Sequence, residues 1–459
     1  MSNDCDVLVA GAGCGGICAA VQAARQGARV LLVERAAQVG GTGIHAPVAL
    51  VCKFQRRDTY EPINRGLHQE FFPQAYAWRG EFTDEDLLPT YDHEDLARRY
   101  AAALAAAPGL EVRTACAVVG VDLEPHPDGR RIAAVRLADG SRVRCSVAVD
   151  GTADGHLSAM AGADFHLGRD SDGAMQAATL TFALRGFDGA RLRNPAITTW
   201  GGFRSLNQEL DALRRSERGD QADHDRFGTG CFAYPDGRTL LFNANHVTGV
   251  DPTRPETVAR GLAEARVLVE RSVELIRRHP AFAPASLAFV SPWLGVREGR
   301  RIVGDHILSA DECLGEARCE DAVAAGAYDI DIHDPDGGPA HMQRIPNTQY
   351  YHIPYRSLRP VGIANLLLAS RCLSGDFTAH SSYRVMSTIS AVGQAAGCAA
   401  ALAIVCGGET RAVDPAWIRH ALVAAGQWAE GSCRPAPMAI GLAAQPSSAL
   451  QAVVDRSGS

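Results

Sequence analysis

A chain of 459 residues exceeds the size of one ordinary hydrophobic core, so two or three domains are expected. Apolar residues make up 46% and charged residues 21% of the sequence, which is typical of a globular protein. The formal net charge of −7 and the lack of a Lys/Arg-rich run argue against a nucleic-acid partner, which requires a strong positive field.

The thirteen cysteines are scattered along the sequence, and none forms a Cys-x-x-Cys pair. Their odd number and an N-terminus without a secretory signal predict reduced thiols in a cytoplasmic protein. Residues 388–406 form an apolar stretch that nearly reaches membrane-spanning length. Gly393, Gln394 and Gly397 interrupt this Ala-rich stretch, so we expect a buried helix and no membrane association.

The N-terminal residues fit a strand–turn–helix–strand unit. Residues 6–10 form an apolar run that predicts a buried parallel strand, and a GxGxxG match occupies residues 11–16 directly after it. Residues 17–26 are Ala-rich and helical in pattern, and residues 28–33 form a second apolar run. Glu34 closes that run about 20 residues beyond the glycines, as dinucleotide binding requires.

The glycines of this match each have a physical task. Gly11 permits the tight turn, Gly13 lets the backbone approach a pyrophosphate, and Gly16 allows close packing of helix on strand. The helix N-terminus offers free N–H groups to the phosphates, and Glu34 would accept hydrogen bonds from the adenosine ribose. The candidate cofactor-binding residues of this unit are Gly11, Gly13, Cys14, Gly15, Gly16, Glu34 and Arg35.

The residues after this unit favour FAD over NAD as the cofactor. Gly40-Gly41-Thr42 lies where flavoproteins commonly carry a Gly-Gly step, and NAD dehydrogenases usually lack that step. The small residues let this loop run back along the cofactor towards the flavin. We therefore predict FAD as the cofactor, with Gly41, Thr42 and His45 as further candidate contacts.

A β-meander is predicted in the middle of the nucleotide-binding part. Two β-rich runs carry turn signals at residues 127–129 and 139–140, and residues 143–149 have the pattern of the next strand. Residues 150–156, Asp-Gly-Thr-Ala-Asp-Gly-His, follow that strand and precede a small helix. This is the meander expected of a flavin domain, and Asp154 is a candidate cofactor contact.

A second nucleotide signature lies far downstream of the first. Residues 365–369 predict a buried strand, residues 370–376 predict a turn, and a helix is predicted to begin near Ser382. Gly375-Asp376 resembles the Gly-Asp step whose carboxylate holds a ribityl hydroxyl in flavoproteins, and an Asp in an ordinary surface turn is the alternative. The helix N-terminus would face the flavin pyrimidine edge, where its dipole favours the negative charge of reduced flavin.

Substrate contacts are predicted within residues 294–302, which have the pattern of a strand. Alternation along such a strand places Arg297 and Arg301 on one side. Two arginines that face a flavin would hold a substrate carboxylate or another anion in bidentate fashion. The alternative is that one of them forms a structural ion pair with a nearby acid. Arg297 is the stronger candidate.

The candidate bases for proton transfer are histidines. His380 precedes the helix that faces the flavin, and His352 precedes an Ile-Pro-Tyr turn. His246 ends a predicted strand over residues 242–246 and would line the substrate cavity. Tyr355 in the Ile-Pro-Tyr turn would donate a hydrogen bond to a developing oxyanion. The alternatives are helix caps or packing for the histidines and a place in the core for Tyr355.

Taken together, these motifs resemble the bacterial FAD-dependent oxidoreductases with a glutathione-reductase-like flavin fold, distant relatives of the fumarate reductase flavoproteins. The resemblance covers nearly the whole chain. Its most distinctive blocks are residues 151–155, 295–304, 332–337, 353–358, 384–386 and 393–397. Arg384, in the fifth block, is a further candidate cofactor contact. The chain departs from the family pattern at residues 43–47 and 376–380, where substrate should meet flavin, so its specificity stays open.

The family resemblance also implies FAD that is held without a covalent bond or, occasionally, with one. Some relatives attach the flavin through a residue in the segment after the adenosine-binding acid, and His45 lies at a suitable distance past Glu34. Cys52 lies in the same segment. The simpler alternative for His45 is a side chain that lines the pocket.

The domain organisation implied by the resemblance is a substrate domain inserted between two parts of a flavin domain. The predicted fold class is α/β, with a Rossmann-like FAD-binding domain of the glutathione-reductase type and an inserted α+β substrate domain. The predicted segments are residues 1–165 and 345–407 for the FAD-binding domain, 166–344 for the substrate domain, and 408–459 for a peripheral helix and polar tail. Residues 54–91 are interpreted as a lid or a homodimer contact, with aromatic residues Tyr60, Phe71, Phe72, Tyr76 and Trp78.

The sequence therefore predicts an FAD-dependent dehydrogenase or oxidase that acts on a small polar, anionic molecule. No metal site is predicted. A flavin monooxygenase reduced by NAD(P)H is one alternative, weakened because no second GxGxxG for a nicotinamide is visible. A non-catalytic flavin-binding protein is another, and the inserted domain and the inward arginines argue against it.

Overall fold

The computed structural model describes residues 4–56, 59, 61–77, 83–218, 230–345 and 350–427. Its strands are β1 Cys5–Ala10, β2 Val30–Val33, β3 Leu110–Arg113, β4 Val118–His126, β5 Gly129–Leu137, β6 Arg142–Asp150, β7 Phe165–His166, β8 Phe182–Arg185, β9 Cys231–Ala233, β10 Thr239–Phe242, β11 Ser286–Val290, β12 Arg301–Ile302, β13 Ala322–Gly326, β14 Ile330–Ile332, β15 His341–Gln343, β16 Tyr351–Pro354 and β17 Leu366–Leu368. Its helices are α1 Cys14–Arg25, α2 Thr42–His45, α3 Leu67–Phe71, α4 Pro73–Ala77, α5 His93–Ala106, α6 His156–Met160, α7 Trp200–Arg218, α8 Pro255–Ile276, α9 Ala310–Leu314, α10 Phe377–Tyr383, α11 Met386–Val405 and α12 Pro415–Ala424.

A seven-stranded sheet forms the centre of the nucleotide-binding part. Strands β3, β2, β1 and β6 lie side by side in that order and run parallel, and β17 pairs with β6, also in parallel. Strands β4 and β5 continue from β6 as an antiparallel meander. The two predicted nucleotide segments, far apart in the sequence, therefore belong to one sheet. This confirms the predicted Rossmann-like fold and its meander.

The central strands are apolar along their whole length because both faces of the sheet are covered. Val7 and Val9 of β1 belong to the hydrophobic core that contains α1 and α11. Leu8 and Ala10, the alternate residues, belong to the core on the opposite face, which includes the meander and α6. A run of consecutive apolar residues is thus what this strand position requires.

Helices α1 and α11 cross in close backbone contact. A Cβ atom on Gly393 would overlap the backbone of Gly15, and a Cβ atom on Gly397 would overlap that of Ala19. The small residues predicted as a packing face of α11 therefore set the distance between the two helices. By length and composition α11 is apolar enough to span a membrane, but most of it is buried inside the protein. It is a core helix, as predicted.

The inserted segment has a hydrophobic core of its own. An antiparallel sheet in the order β11-β8-β10-β9 packs with α7 and α8 around apolar residues that lie between Ala178 and Leu294. The apolar side chains of α8 recur at helical spacing, and they are turned to this core. From Leu308 onward the buried apolar residues join the nucleotide-binding core instead, well before the predicted boundary at residue 344.

Three predicted elements differ from the structure. Residues 294–302 do not form one continuous strand: Gly295 forms an isolated antiparallel bridge with Thr179, and only Arg301–Ile302 is a strand. Strand β10 ends at Phe242, before His246. The helix predicted to begin near Ser382 is two helices, α10 and α11, which meet at Arg384.

The segment interpreted as a lid or dimer contact is largely buried where the structure describes it. Phe71, Phe72 and Tyr76 are at most 5% exposed and belong to the core that contains α1 and α11. Tyr60 and Trp78 lie outside the described residues. The described aromatic side chains therefore offer no exposed contact surface, and a lid or homodimer contact in this segment stays a prediction.

Candidate active site

The N-terminus of α1 forms an open cradle beside the sheet. The helix begins at Gly13 without a side-chain cap, so its first N–H groups are free for a ligand. A Cβ atom on Gly13 would meet nothing within 4 Å, whereas Cβ atoms on Gly15 and Gly16 would overlap the Ala369 and Gly11 backbones. Gly11 itself has a φ of +89°. This combination of open space and free donors fits a pyrophosphate.

Glu34 directly follows β2, and backbone N–H groups hold its carboxylate in place. Its carboxylate accepts hydrogen bonds from the backbone N–H groups of Ala12, at 2.7 Å, and Ala36, at 2.9 Å. Each carboxylate oxygen keeps acceptor capacity for the hydroxyls of a ribose. Arg35 is exposed, and its guanidinium carbon lies 6.0 Å from the centre of the Trp293 ring. The arrangement fits an adenosine ribose at Glu34.

The Gly-Gly loop lies directly against the cradle. Gly40 donates from its N–H to the Ala12 carbonyl at 2.7 Å, and a Cβ atom on Gly41, whose φ is +54°, would lie 2.9 Å from the Gly13 Cα. Thr42 begins the short helix α2, and His45 ends it. The loop thus reaches from the phosphate cradle towards the N-terminus of α11, as predicted for a segment that runs along FAD.

The side chains of His45 and Cys52 do not favour a covalent flavin bond. The His45 ring packs against the Trp293 ring, tilted by 30° with centroids 4.1 Å apart, and its Nε2 lies 3.1 Å from the Gln38 carbonyl oxygen. Burial raises the pKa of the Cys52 thiol to about 12, and the nearby Asp331 adds to this effect. At neutral pH that thiol is protonated and a poor nucleophile.

We therefore expect acid-precipitated protein to release all its yellow colour into the supernatant. The measurement is the flavin absorbance of supernatant and pellet after precipitation of the purified, FAD-loaded enzyme. A fluorescent protein band on a denaturing gel would contradict this expectation. Loss of that band in His45→Ala or in Cys52→Ala would then identify the attachment residue.

The N-terminus of α11 is a second uncapped helix end. The residue before it, Val385, provides no side-chain cap, whereas Asp376 caps the neighbouring α10. Each oxygen of Asp376 accepts one hydrogen bond, from Ala379 N–H and from Ala310 N–H, both at 2.7 Å. A Cβ atom on Gly375 would crowd the Tyr383 ring. The structure gives Asp376 a helix-capping role, and its contact with the ribityl chain stays a prediction.

Arg371 is a cofactor-side residue that the sequence reasoning missed. Its guanidinium donates to Asp154 at 2.7 Å, while its buried Nε has no partner within the described residues. It lies near Cys14 in the first turn of α1, where its charge partly offsets the effect of burial, which raises the pKa of Cys14 to about 11. Arg371 lies three residues after the end of β17, and this position after a nucleotide-binding strand was the signal available in the sequence.

A second cluster lies between the α10–α11 junction and the inserted segment, around the carboxylate of Asp331. Tyr328 donates to Asp331 Oδ2 at 2.9 Å, and Arg384 Nη2 lies 3.6 Å from the same oxygen and donates to the Asp331 carbonyl at 2.9 Å. His333 Nε2 lies 3.4 Å from Asp331 Oδ2. Burial raises the pKa of Asp331, but these hydrogen bonds and the charge of Arg384 outweigh burial, so the carboxylate is ionised at neutral pH.

Arg297 and His246 join this cluster from the inserted segment. Arg297 donates to the Ala177 carbonyl at 2.5 Å and to Asn243 Oδ1 at 3.2 Å. Burial lowers its pKa to about 9, and the charge of Arg384 contributes to this shift. His246 Nε2 lies 3.3 Å from His333 Nδ1. The structure therefore brings together three predicted residues, Arg297, His246 and Arg384, and adds to them Tyr328, Asp331 and His333.

Arg301 and Tyr355 lie in surroundings that differ from their predicted roles. Arg301 is 1% exposed and pairs with Glu298 at 2.5 Å, which matches the alternative of a structural ion pair. Tyr355 donates to the Thr410 carbonyl at 2.8 Å, in the core beside the C-terminal half of α11. Because α11 has 20 residues, about 30 Å separate its two ends. Tyr355 therefore does not belong to the cluster at the N-terminus of α11.

The two remaining histidines lie on β16 and on α10. His352 Nδ1 lies 3.1 Å from the Cys319 nitrogen, on the strand pair β13–β16. His380 is fully buried on α10, and neither ring nitrogen has a partner within the described residues. Burial and three nearby arginines, Arg384, Arg301 and Arg371, hold the pKa of His380 well below its ordinary value. A contact of either histidine with substrate stays a prediction.

The model of the FAD-dependent oxidoreductase family matches residues 6–422. The chain belongs to this family. This FAD-dependent oxidoreductase is therefore an enzyme with FAD as its cofactor, and the cradle at α1, Glu34 and the free N-terminus of α11 fit that group. No match was found among the curated proteins.

Solved structures with a similar fold add nothing on the substrate, since their identities and TM-scores are low. A geranylgeranyl bacteriochlorophyll reductase-like protein from Thermoplasma acidophilum is 13% identical over 92% of this chain and 87% of that chain, with a TM-score of 0.41. A probable FAD-dependent monooxygenase from Pseudomonas aeruginosa is 13% identical over 92% and 90%, with a TM-score of 0.37. THI4 from Thermovibrio ammonificans is 18% identical over 36% and 66%, with a TM-score of 0.27.

Proposed function

We propose that this oxidoreductase is of the dehydrogenase or oxidase type and transfers a hydride from a small anionic substrate to N5 of the flavin. The observation that carries the proposal is Arg297, a buried guanidinium whose acceptors, Ala177 and Asn243, are both neutral. Within the described residues no carboxylate pairs with it. A buried charge without a counter-charge is costly, and an anionic ligand would supply that counter-charge.

The charge balance of the cluster supports a substrate with one negative charge. Arg297 and Arg384 are positive, and Asp331 is negative. His246 and His333 are neutral at pH 7, since burial and the charge of Arg297 lower their pKa values to about 3 and about 4. These five groups therefore carry one net positive charge. A monocarboxylate or a similar monoanion neutralises it, and a dianion does not.

The residues of the cluster divide the work of binding and proton transfer. When bound, FAD supplies the hydride acceptor. Arg297 would bind the substrate anion in a bidentate contact and so orient the carbon that is oxidised. His246 would accept the proton that the substrate loses, and its neutral state at pH 7 leaves it free to do so. The burial of Arg297 and Asp331 excludes water around them, which strengthens both contacts.

The test is an anaerobic screen of small metabolites for loss of flavin absorbance. We expect reduction by 2-hydroxy monocarboxylates, and no reduction by the matching amides, which lack the negative charge. Bleaching by NADPH alone would support a monooxygenase and contradict the proposal. No bleaching by any of these compounds would support a non-catalytic flavin-binding role, against the present proposal.

A further inference from the structure

Asp331, His333 and His246 form a row of side chains, and the last of them has an unpaired ring nitrogen within the described residues. Within the described residues, the contacts of His246 are those with His333, through Nε2 and through the ring, so its Nδ1 is unpaired. His246 is half-buried. The two imidazole rings are nearly perpendicular, with centroids 5.1 Å apart. Arg297 lies beside the row and is the anion contact proposed above.

We propose that Asp331, His333 and His246 form a proton relay that removes a proton from the substrate bound at Arg297. His246 is the catalytic residue of this relay, because its Nδ1 is the nitrogen of the row that has no partner within the described residues. His333 and Asp331 are positioning residues that act through His246. This inference rests on the proposed function, since it needs a substrate that loses a proton as well as a hydride.

The tautomers of the two histidines follow from the acceptor at the far end of the row. The Asp331 carboxylate can only accept, so His333 carries its hydrogen on Nε2 and leaves Nδ1 as an acceptor. His246 must then donate from Nε2 to His333 Nδ1, and its own Nδ1 keeps a lone pair. Each hydrogen bond in the row thus points from His246 towards Asp331.

Proton transfer along this row balances without a further reactant. The substrate O–H or N–H bond would break and its proton would bind His246 Nδ1, and bound FAD would supply the acceptor for the hydride lost from the substrate carbon. His246 then passes its Nε2 proton to His333 Nδ1. The positive charge moves from the ring near Arg297 to the ring beside the Asp331 carboxylate, where it is stabilised.

The basicity of His246 and His333 depends on whether a substrate is bound, because of the charges around the two rings. Arg297 lowers the pKa of both histidines, Asp331 raises them, and Arg384 lowers that of His333. The neighbouring Cys52 and Tyr328 are uncharged at neutral pH, because burial raises the pKa of each. A substrate anion paired with Arg297 would offset the repulsion from that guanidinium. The histidines would therefore become stronger bases when substrate binds.

The test that needs no substrate is nuclear magnetic resonance of the FAD-loaded, ¹⁵N-histidine-labelled enzyme. His246→Gln and His333→Gln assign the two rings, and His341→Gln, at an exposed position, is the matched control. We expect both rings to be neutral at pH 7 with the hydrogen on Nε2, and a nitrogen–nitrogen coupling across the His246–His333 hydrogen bond. Arg297→Gln should raise the pKa of His246 by about one pH unit or more, since a repelling charge is removed.

The Asp331→Asn variant distinguishes a relay from two histidines that act independently. Without the carboxylate the His333 tautomer is no longer fixed, so the coupling between the rings should weaken and the His246 Nδ1 signal should move. Asp311→Asn, an exposed acid on α9, should change neither. A His246 spectrum that stays the same in Asp331→Asn, or a His246 ring without a hydrogen on Nε2, would overturn the relay.

Once the screen has identified a substrate, separate measurements of the rate of flavin reduction and of the substrate Kd give a second test of the relay. His333→Gln should slow flavin reduction at saturating substrate by about 10- to 100-fold while the apparent Kd changes by less than about twofold, because the relay acts on proton transfer rather than on binding. Arg297→Gln should mainly raise the Kd. Equal loss in both parameters for His333→Gln would contradict a positioning role. A failed screen would count against the proposed function alone, since the resonance test is independent of substrate.

Discussion

Arg297→Met should leave the enzyme yellow and folded but slow its reduction by an anionic substrate by about 100-fold or more, since removing one partner of a buried charge pair costs roughly 2–5 kcal/mol. The methionine fills much of the same space without the charge. Two effects on stability oppose each other: an unpaired buried charge is removed, and the acceptors at Ala177 and Asn243 lose their donor. We therefore expect a small change in Tm. The measurement is anaerobic stopped-flow absorbance with increasing substrate.

Two further variants show whether the effect comes from the charge or from its geometry. Arg297→Lys keeps the charge and loses the fork of donors, so it should fall between the wild type and Arg297→Met. Arg266→Met, on the exposed face of α8, is the matched control and should be reduced normally. Normal reduction of Arg297→Met would remove Arg297 from the mechanism. A colourless Arg297→Met would instead place this residue in cofactor binding.

The nucleotide-binding half could be predicted from the sequence because its requirements are local. A strand with both faces buried must be apolar throughout, and the turn after it must contain Gly11, Gly13 and Gly16 in fixed places. These requirements all apply to residues that are adjacent in the sequence. The same holds for α11, whose Gly393 and Gly397 mark where a second backbone passes. Local patterns of this kind predicted the strands and helices of the sheet to within a few residues.

The substrate side could not be predicted in the same way, because its residues meet only in three dimensions. Asp331 lies on the short strand β14 and His333 follows that strand directly, and neither has a local pattern that separates it from an ordinary surface residue. Their partner His246 is far away in the sequence. Only the folded chain shows the distance of 3.3 Å between the two imidazoles.

Arg301 and Asp376 both have structural partners that the sequence did not show. Each residue type suits both a ligand contact and a structural contact, and the sequence does not show which partner is near. Glu298 lies close enough to pair with Arg301, and the free N–H groups of Ala379 and Ala310 occupy the Asp376 carboxylate. Buried charged groups take whatever partner the fold supplies. A functional role predicted from sequence is therefore less specific for a charged residue than for a glycine, because steric limits require the glycine at its position.

Gly13→Ala and Gly15→Ala should have opposite effects on cofactor binding and on folding. A Cβ atom on Gly13 meets nothing within 4 Å, and the φ of −78° at Gly13 suits alanine, so the apoprotein should fold with an unchanged Tm. The same Cβ would stand where the pyrophosphate must approach the N–H groups. We expect FAD binding to weaken by about 10- to 100-fold, since a hydrogen bond to a charged group contributes roughly 1.5–3 kcal/mol.

Gly15→Ala should instead destabilise the fold itself. Its Cβ would overlap the Ala369 carbonyl and lie 2.9 Å from Ile389 Cγ2, so α1 must move away from β17 and α11. Overpacking of this kind lowers the free energy of unfolding by about 1–3 kcal/mol. Thermal unfolding of the apoproteins and calorimetric titration with FAD measure the two effects separately. If Gly13→Ala lost stability while it kept its FAD affinity, the open space in front of α1 would not be the phosphate site, and the cofactor would have to enter elsewhere.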